Sequence, residues 1–510
     1  MKHFPWSFPC FLWFCLLSGA SAAKVSLPGD DLQAVLDRGE DLALEKGALY
    51  EIRQTLRYRK PGQKIFTKGA EFPSDYATLR LANKDLMMLI HGGGQEGAVL
   101  ERVICDGDRY RLSTVPKGRG SGGAGQPALV HFGGPGGDGQ IVRNCVFMNT
   151  RTWSTLKMHE HASNMLTENN LFFGMGVDPR GNGREFNEIP FSWADGVSSA
   201  ATDSIIRNNL LIDPTDVGIV LYCAPGSIVE DNVVAAISRE SLGGINLVDA
   251  LLEMFALDED LTLFDYGGVV VRNNYIDNFG ARIHMGIPVG CAVWHPRFKG
   301  RILQGGSVTG NTIAGGAGGY GIVAHGLKGW TIQDNLSTAH YSGLAEYGFH
   351  PNPPDPPAAF LFHAESVLES ELQPEFQETV RHIDHLLRTQ KAPQNEFGYQ
   401  MHDYGHEEIQ AVVQAAYLEM LGRDPTREEL LAAADLLQSR QRNADGLRRQ
   451  LMGTPEFEEK FGFHFPAELH PFRVQRWFDL CDQLLREKGE MYPMRELYQD
   501  ALQRLRLPAK

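Results

Sequence analysis

The feature that most constrains this chain is a six-residue pattern that recurs seven times between about residues 140 and 340. Most copies read apolar, variable, polar, Asn or Asp, Asn, apolar. The copies are Ile141–Val146, Leu166–Leu171, Ile205–Leu210, Ile228–Val233, Val270–Tyr275, Ser307–Thr312 and Thr331–Leu336. Aligned on the fifth position, which is Asn in every copy except the first (Cys145), they are spaced by 25, 39, 23, 42, 37 and 24 residues.

These spacings predict a solenoid. The short ones fit one coil of a parallel β-helix, and the long ones fit the same coil with an inserted loop. Alternate residues of short strands point into a shared core. Asn tolerates left-handed backbone angles at the corners and can bond to its neighbours along the stack. Hairpin turns of a β-sandwich are the alternative, but seven copies with one apolar flank favour a mainly β, right-handed parallel β-helix.

The sequence divides into four segments. Residues 1–22 read as a signal peptide, and 24–350 as the β-helix, opened by an apolar helix at 30–36 that caps its first coil. The Pro-rich stretch 351–357 predicts a boundary, followed by a linker and helix to residue 400. From 401 to 510 glycine is scarce and the apolar period is helical, which predicts a small all-α domain.

Two resemblances follow from these motifs. The cap helix, the Lys46-Gly47 turn and the Asn-containing coils resemble the pectate-lyase-like β-helix superfamily, and in particular secreted pectin-lyase-fold proteins. Because this scaffold hosts lyases, hydrolases, epimerases and adhesins, the resemblance implies the fold but not the activity. The segments Ala416–Pro425 and Thr454–Phe457 resemble the helical DUF4214 domain, which implies a secreted bacterial protein and a structural role for Arg423.

The N-terminus and the charge bear on location and partners. A short basic start, the apolar run Phe4–Leu17 and the small residues Ala20–Ala22 predict secretion, to the periplasm or the outside of the cell. No second apolar run is long enough to span a membrane. The net charge of −15 disfavours nucleic acid and anionic membranes as partners. Cys145 and Cys223 lie within apolar strand patterns, which predicts that both are buried.

The best candidates for catalysis are Asp195 and Asp216, which are about one coil apart. Stacked coils would bring the two carboxylates close enough to act as acid and base on a glycosidic bond. Their spacing resembles that of polygalacturonase-type glycoside hydrolases, although Thr215 stands where that family has a further Asp. Turn chemistry is the alternative, since Asp often occupies loop–strand junctions.

A second cluster contains Arg282 and His284, followed by Trp294, His295 and Arg297. An arginine can neutralise a uronate carboxylate, a histidine can serve as base, and Trp294 can stack on a sugar ring. These are the parts of a uronate lyase or a C5-epimerase. Asn246, Asp249 and His325 are further candidates for binding substrate.

No cofactor is expected. Calcium would need clustered outward carboxylates, which Asp195, Asp213 and Asp216 could provide, but no ligand loop is recognisable.

Three functions remain open from the sequence, all with a polysaccharide as partner. The first is a glycoside hydrolase of polygalacturonase-like type that uses Asp195 and Asp216. The second is a uronate polysaccharide lyase or C5-epimerase that uses Arg282 and His284. The third is a non-catalytic carbohydrate-binding or surface protein.

Overall fold

The structure is a computed structural model. It describes residues 23–112, 128–176, 193–237, 239–248, 263–279, 282–293, 300–315, 318–339, 341, 358–379, 406–439, 447, 450–451, 454–461 and 470–505.

The chain winds into a right-handed parallel β-helix, as predicted. Every named strand pairs in parallel with strands of neighbouring coils, and three long sheets run the length of the coil stack with a short fourth sheet beside them. Strands are numbered along the chain. Sheet 1 contains β1 (Val25–Ser26), β2 (Leu42–Leu44), β5 (Lys64–Thr67), β8 (Val99–Glu101), β11 (Ile141–Arg143), β14 (Leu166–Glu168), β17 (Ile205–Arg207), β20 (Ile228–Glu230), β24 (Val270–Arg272), β28 (Ser307–Thr309), β32 (Thr331–Gln333) and β36 (Glu371–Leu372).

The second and third sheets complete each coil. Sheet 2 contains β3 (Leu49–Ile52), β6 (Ala77–Leu81), β9 (Val103–Asp106), β12 (Val146–Met148), β15 (Leu171–Phe173), β18 (Leu210–Ile212), β21 (Val233–Ala235), β25 (Tyr275–Asn278), β29 (Thr312–Gly315) and β33 (Leu336–Ser337). Sheet 3 contains β4 (Leu56–Arg57), β7 (Ile90–His91), β10 (Ala128–Gly133), β13 (Ser154–His159), β16 (Asp195–Ser199), β19 (Val217–Tyr222), β22 (Ser241–Val248), β26 (Ile283–Val289), β30 (Tyr320–Ala324), β34 (Phe360–His363) and β37 (Gln377–Thr379). Sheet 4 contains β23 (Leu263–Asp265), β27 (Ile302–Gln304), β31 (Leu327–Lys328) and β35 (Val367–Leu368).

A ladder of stacked amides joins the coils at the corner between sheets 1 and 2. Nδ2 of each Asn donates to Oδ1 of the next, at 2.9 Å from Asn209 to Asn232 and 3.0 Å from Asn232 to Asn274. The ladder residues are Asn170, Asn209, Asn232, Asn274, Asn311 and Asn335, and it ends on Gln373. The residue before each Asn takes the left-handed conformation, as Asn208 does with φ 49°. The predicted stacking is therefore confirmed. At each corner one residue takes the left-handed φ, and the Asn that follows it forms the ladder.

The first coil is closed by α1 (Leu32–Asp37), as the sequence predicts. Oδ1 of the N-cap residue Asp31 accepts a hydrogen bond from the backbone N–H of Ala34. Leu32 and Leu36 are buried in the core of the coil stack, so the helix covers apolar surface that the first coil would otherwise expose.

The coils continue beyond the boundary expected at residue 350. Strands β34 to β37 lie between residues 360 and 379 and join sheets 1, 3 and 4. A Pro run excludes a strand at its own position, because proline cannot donate to a ladder, but it does not prevent the chain from returning to the sheets afterwards. Residues 351–357 and 380–400 lie outside the described residues, so the helix expected in the linker does too.

The C-terminal segment is helical, and its last two helices pack on the β-helix. They are α3 (His406–Leu421), α4 (Arg427–Gln438), α5 (Pro455–Phe461), α6 (His470–Lys488) and α7 (Met494–Leu505). A further short helix, α2 (Arg109–Leu112), and two 3-10 turns, Pro73–Asp75 and Cys291–Val293, belong to the coils. Within the described part of the chain, no helix is long and apolar enough to cross a membrane.

Helices α6 and α7 cover the outward face of sheet 2. Residues such as Leu171, Leu210 and Val233 form one apolar cluster with Trp477 and Leu497 of these helices. Polar contacts fix the edges of this contact. The backbone N–H of Ser74 donates to Asp482 at 2.8 Å, and that of Met494 donates to Asn208 at 2.9 Å; buried Tyr498 donates to Asp277, also at 2.9 Å.

Arg423 has the structural role expected of it. Its guanidinium donates to both carboxylates, Glu429 (Nη2–Oε1 2.7 Å) and Glu456 (Nε–Oε1 2.6 Å), and to the backbone carbonyl of Asp424 at 3.0 Å. These hydrogen bonds raise the pKa of Arg423 and, from the other side, lower the pKa of Glu429 to about 2. Arg423 thereby ties the end of α3 to the starts of α4 and α5.

Candidate functional site

The outward face of sheet 3 changes character along the stack. Its register aligns one outward residue from each coil, and we call this row the outward column: Arg57, His91, His131, Lys157, Ser198, Val220, Asn246, Pro288, Val323 and Leu361. The row is polar up to Ser198. From Val220 onwards the face is mainly apolar, and Val220, Val323 and Leu361 belong to a buried cluster with Trp193 and Met285. The candidate carboxylates lie at this change.

A row of glycines sets the shape of the same strands. Gly196, Gly218, Gly244, Gly286 and Gly321 lie one per coil in β16, β19, β22, β26 and β30. A Cβ on Gly218 would come within 2.6 Å of the Val234 side chain and 2.7 Å of the Gly244 carbonyl. A side chain at these positions would clash with core residues such as Val234. The residue before a glycine faces outward, as Val217 and Met285 do. The residue after it, such as Ile219, packs into the core.

Asp195 begins strand β16 and is buried, with 2% of its surface exposed. Its backbone N–H donates to the carbonyl of Trp153, and its Oδ2 accepts a hydrogen bond from the Ser198 hydroxyl at 2.7 Å. Ser198 in turn lies 2.8 Å from the hydroxyl of Ser154 on the preceding coil. Asp195 and Gly196 thus belong to a strand. The Asp195 carboxylate is held by the Ser198 hydroxyl, which is itself hydrogen-bonded to the Ser154 hydroxyl.

Asp216 is half-buried on the next coil, immediately before β19. Because Val197 pairs with Ile219, the residue in register with Asp195 is Val217, and Asp216 is offset by one position. The backbone N–H of Asp216 donates to the carbonyl of Ala194 at 3.0 Å. The two aspartates are therefore on adjacent coils, as expected, but do not stack directly.

Thr215 and Asp213 hold the segment around Asp216. The Thr215 hydroxyl donates to the carbonyl of Met175 and accepts from the N–H of Ala194. Thr215, which stands where polygalacturonase-type hydrolases have an Asp, therefore joins neighbouring coils through hydrogen bonds. Asp213 has a left-handed φ of 58°, and its Oδ1 accepts from the backbone N–H of Ile237 at 2.7 Å.

Tyr222 lies at the opposite end of β19 from Asp216. It is the last residue of β19 and is half-buried beside Val248 of the next coil. Burial raises the pKa of Tyr222 well above its usual value, and the negative charges of Asp195 and Asp216 raise it further. The phenol therefore keeps its proton at neutral pH, within electrostatic reach of both aspartates.

Lys157 and three histidines form the polar end of this face. Lys157 is buried on β13 and pairs in register with Ser198. The rings of His91 and His131 lie 4.8 Å apart, and those of His131 and His159 stack at 5.2 Å. Burial, with the repulsion of neighbouring positive charges, lowers the pKa of His91 to about 4 and of His131 to about 3. The hydrogen bond to Glu160 raises the pKa of His159.

Arg282 and His284 lie at the start of β26, in a fully buried polar cluster. His284 Nε2 is 3.2 Å from Glu240 Oε2, and Glu240 and Arg282 directly precede the paired residues Ser241 and Ile283. Leu242 separates His284 from Asp216 along the sheet, since the N–H of Leu242 donates to the Asp216 carbonyl. The register therefore places His284 two strands from Asp216, about 10 Å away, with Leu242 between them.

The remaining predicted residues are scattered. Asn246 lies in the outward column, two coils from Ser198, and is buried. His325 is buried after β30, where its ring stacks on His363 at 4.6 Å; four strand spacings of ~4.8 Å separate β30 from β16, about 19 Å. The other four lie outside the described residues: Asp249, Trp294, His295 and Arg297.

An open cavity of about 530 Å³ lies on the same coils as the two aspartates but at the other end of their strands, at the corner where sheet 3 turns towards sheet 1. We call it the corner cavity. Its polar lining comes from successive coils and includes Asp138, Glu160, Ser163, Thr202, Tyr222 and Cys223. Cys223 has a left-handed φ of 66° and is partly exposed, in contrast to the burial that its sequence pattern predicts; Cys145 is buried as expected.

The described part of the chain contains no group of side chains suited to bind a metal ion. No three His, Cys, Asp or Glu side chains there are arranged to hold an ion. Asp213, one of the three carboxylates considered for calcium, uses Oδ1 to accept backbone N–H groups of the next coil.

Sequence reasoning missed Lys157, Ser198 and Tyr222. The signal that could have found them is the register. Lys157 and His159 alternate with the core residues Leu156 and Met158, which predicts an outward-facing lysine one coil before Asp195.

Comparisons with known proteins find fold similarity only. No family model and no curated protein matches the chain. Among solved structures it is similar to the tailspike protein of E. coli bacteriophage HK620 in complex with a hexasaccharide (12% identity, 69% of each chain, TM-score 0.41). It is also similar to an endo-xylogalacturonan hydrolase from Aspergillus tubingensis (10%, 71% of this chain and 96% of that chain, 0.43) and to the A-module of a mannuronan C-5 epimerase from Azotobacter vinelandii (14%, 67% and 94%, 0.35). The chain is thus a parallel β-helix by its own strand pairing, and its similar structures are glycan-active β-helix proteins.

Proposed function

We propose that this protein is a polysaccharide-cleaving enzyme of the glycoside hydrolase type, with Asp195 and Asp216 as its two carboxylates. The observation that supports it is their placement. They come from adjacent coils at the point where the outward face of sheet 3 changes from polar to apolar, and both act on the phenol of Tyr222.

The chemistry of glycoside hydrolysis matches these groups. It needs one carboxyl to protonate the leaving oxygen and a second to activate water or to attack the sugar. Ser198 fixes the orientation of Asp195 through a 2.7 Å hydrogen bond. Tyr222, which keeps its proton, offers a hydrogen-bond donor to a sugar oxygen at the other end of the same two strands.

The lyase or epimerase alternative is less well supported. Arg282 and His284 have no exposed surface, and His284 faces Glu240. Asp195 is nearly as buried, but Asp216 on the adjacent coil is partly exposed, so the aspartate pair includes a group that a sugar can reach. A non-catalytic glycan-binding protein is the third possibility, and it would use the same outward face without cleavage.

The test is incubation with a panel of neutral and uronic polysaccharides. We expect new reducing ends without absorbance from unsaturated products, and a loss of about 100-fold or more in Asp195→Asn and in Asp216→Asn. Asp334→Asn is the matched control, because Asp334 is an exposed turn residue with a left-handed φ of 58° that Asn also tolerates. Unsaturated products would indicate a lyase. Glycan binding without cleavage would indicate a non-catalytic glycan-binding protein.

We also propose that the protein acts outside the cytoplasm, on the basis of the apolar run within residues 1–22, which lie outside the described residues. N-terminal sequencing of protein purified from its native source should begin near Ala23. A chain that retains Met1 and stays in the cytoplasm would contradict this proposal.

A further inference from the structure

The corner cavity lies on the same two coils as the proposed site, at the other end of their strands. Ala200 and Thr202 line it just after β16, which Asp195 begins, and Tyr222 lines it at the end of β19, which Asp216 precedes. Glu160 lines it as well and pairs with His159 of the stacked histidines at 2.9 Å. Because five strand residues of ~3.3 Å separate Asp195 from Ala200, about 16 Å, a glycan or branch that crosses the outward face of sheet 3 along these strands would reach the cavity a few sugar units from the aspartates.

The size of the cavity suits a sugar unit. Its volume of about 530 Å³ lies within the range of about 300–1,000 Å³ typical of small-molecule sites. Small apolar residues, Ala162, Ala200 and Pro225, alternate with hydroxyl and carboxylate groups around it. A pyranose presents the same mixture, with C–H faces and a rim of hydroxyl groups.

The charge of the lining selects among sugars. Asp138 and Glu160 contribute two carboxylates and His161 an imidazole, and among the described lining residues there is no lysine or arginine. Carboxylates accept hydrogen bonds from sugar hydroxyls but repel a uronate. Asp138 is already held in place, because its Oδ1 accepts from the N–H of Ser163 at 2.7 Å and from its hydroxyl at 2.9 Å.

We infer that the corner cavity is a subsite for a neutral sugar unit of the glycan, about 16 Å across the sheet from the bond that we propose is cleaved between Asp195 and Asp216. The inference rests on the proposed function for the position of that bond. It deepens the proposal by naming the substrate class, a glycan with an uncharged residue or branch at this position. A uronate unit would be excluded from this cavity.

Cys223 gives a direct readout of occupancy. Among the described cysteines it is partly exposed and the others are buried, and it lines the cavity. We would alkylate the full chain with iodoacetamide, with and without neutral hexose oligosaccharides or oligogalacturonates, and quantify the modified Cys223 peptide by mass spectrometry. We expect neutral oligosaccharides to slow the alkylation and oligogalacturonates to leave it unchanged. Protection by the uronates alone, or by both classes alike, would overturn the inference.

Two variants test the cavity by calorimetry, independently of the thiol. Ala200→Phe fills it, and Thr202→Val removes a lining hydroxyl without changing its shape. We expect neutral oligosaccharide affinity to fall by about tenfold or more in the first and less in the second. The double change Glu160→Gln with Asp138→Asn should relax the exclusion of uronates, whereas Asp334→Asn with Glu369→Gln, two exposed carboxylates on later coils, should not. Unchanged affinity in Ala200→Phe would overturn the inference.

Cleavage is measured in parallel, so that the two proposals fail separately. If Asp195→Asn still cleaves while neutral sugars protect Cys223, the catalytic assignment is wrong and the subsite stands. If cleavage depends on both aspartates but Cys223 is never protected and Ala200→Phe binds normally, the subsite is wrong and the catalytic assignment stands.

Discussion

His284 and Glu240 face each other at 3.2 Å, Nε2 to Oε2, with 0% and 2% of their side-chain surfaces exposed. The pair lies between neighbouring strands of sheet 3, near Arg239 and Arg282, which are also buried. Burying such groups is costly unless they remain together, so each depends on the other.

We predict that Glu240→Ala lowers the free energy of unfolding by about 3–5 kcal/mol, because it leaves buried His284 without its carboxylate. Chemical denaturation measures the change. Activity per folded molecule should stay near that of the wild type at low temperature. A stable variant that has lost all activity would instead assign the pair to catalysis and restore the lyase alternative.

The Asn ladder should be similarly sensitive. Asn232 is fully buried, and its amide donates to Ile206 O and to Asn274 and accepts from Asn209. Asn232→Ala leaves several buried backbone and amide groups unpaired, at about 1–3 kcal/mol for each group. We expect a clear fall in melting temperature. Asn273→Gly, at an exposed position with φ 57°, is the control and should change little. Equal effects in both variants would mean that the ladder adds no special stability.

Stability should fall as the pH is lowered below about 6.5. The unfolded histidines titrate near pH 6.5, whereas the folded pKa of His91 is about 4 and that of His131 about 3. Between these values the unfolded chain binds more protons, so the free energy of unfolding rises with pH. His159 opposes this trend, because its folded pKa is raised. The double variant His91→Gln, His131→Gln should show a shallower slope between pH 4 and 6.5 than either the wild type or His161→Asn. An unchanged slope would contradict the burial of these rings.

The contact between the C-terminal helices and sheet 2 should be strongly stabilising. Trp477 is buried between helix α7, whose Tyr498 stacks on it at 6.1 Å, and the outward face of sheet 2. Trp477→Ala removes this packing, and we expect a loss of about 3–5 kcal/mol. Met491→Ala, at a residue that is 66% exposed, is the control. If the β-helix melts at an unchanged temperature in Trp477→Ala, the helices contribute nothing to its stability.

The coils could be predicted from the sequence because their signal is local and repeated. Asn170, Asn209 and Asn232 each occur in the same six-residue frame, so one interpretation explains all of them. The end of the β-helix could not be placed, because strands β34 to β37 lack an Asn in that frame, and Gln373 completes the ladder in its place. The packing of α6 and α7 could not be predicted either, because it depends on the shape of a face formed by many coils.

The site was only partly predictable for a related reason. Asp195 and Asp216 stand out by spacing, but which residues are in register depends on the strand pairing, and the register puts Val217 beside Asp195. His284 and Arg282 have the residue types of catalysis, yet burial decides their environment, and nothing local distinguishes a buried histidine from an open one. Tyr222 could not be singled out because the electrostatic effect of Asp195 on it depends on the pairing of two strands.

The amide ladder also has a consequence for how such a chain can change over time. Each coil from Asn170 to Asn335 offers the same donor and acceptor to its neighbours, whatever the length of the loops it carries, so a duplicated coil can be added within this stretch with its bonding already complete. Under the proposed function the exception is the boundary between β16 and β19, where an added coil would move Asp195 away from Asp216. Length could then change within the ladder in descendants of this protein, provided that those two coils stay adjacent.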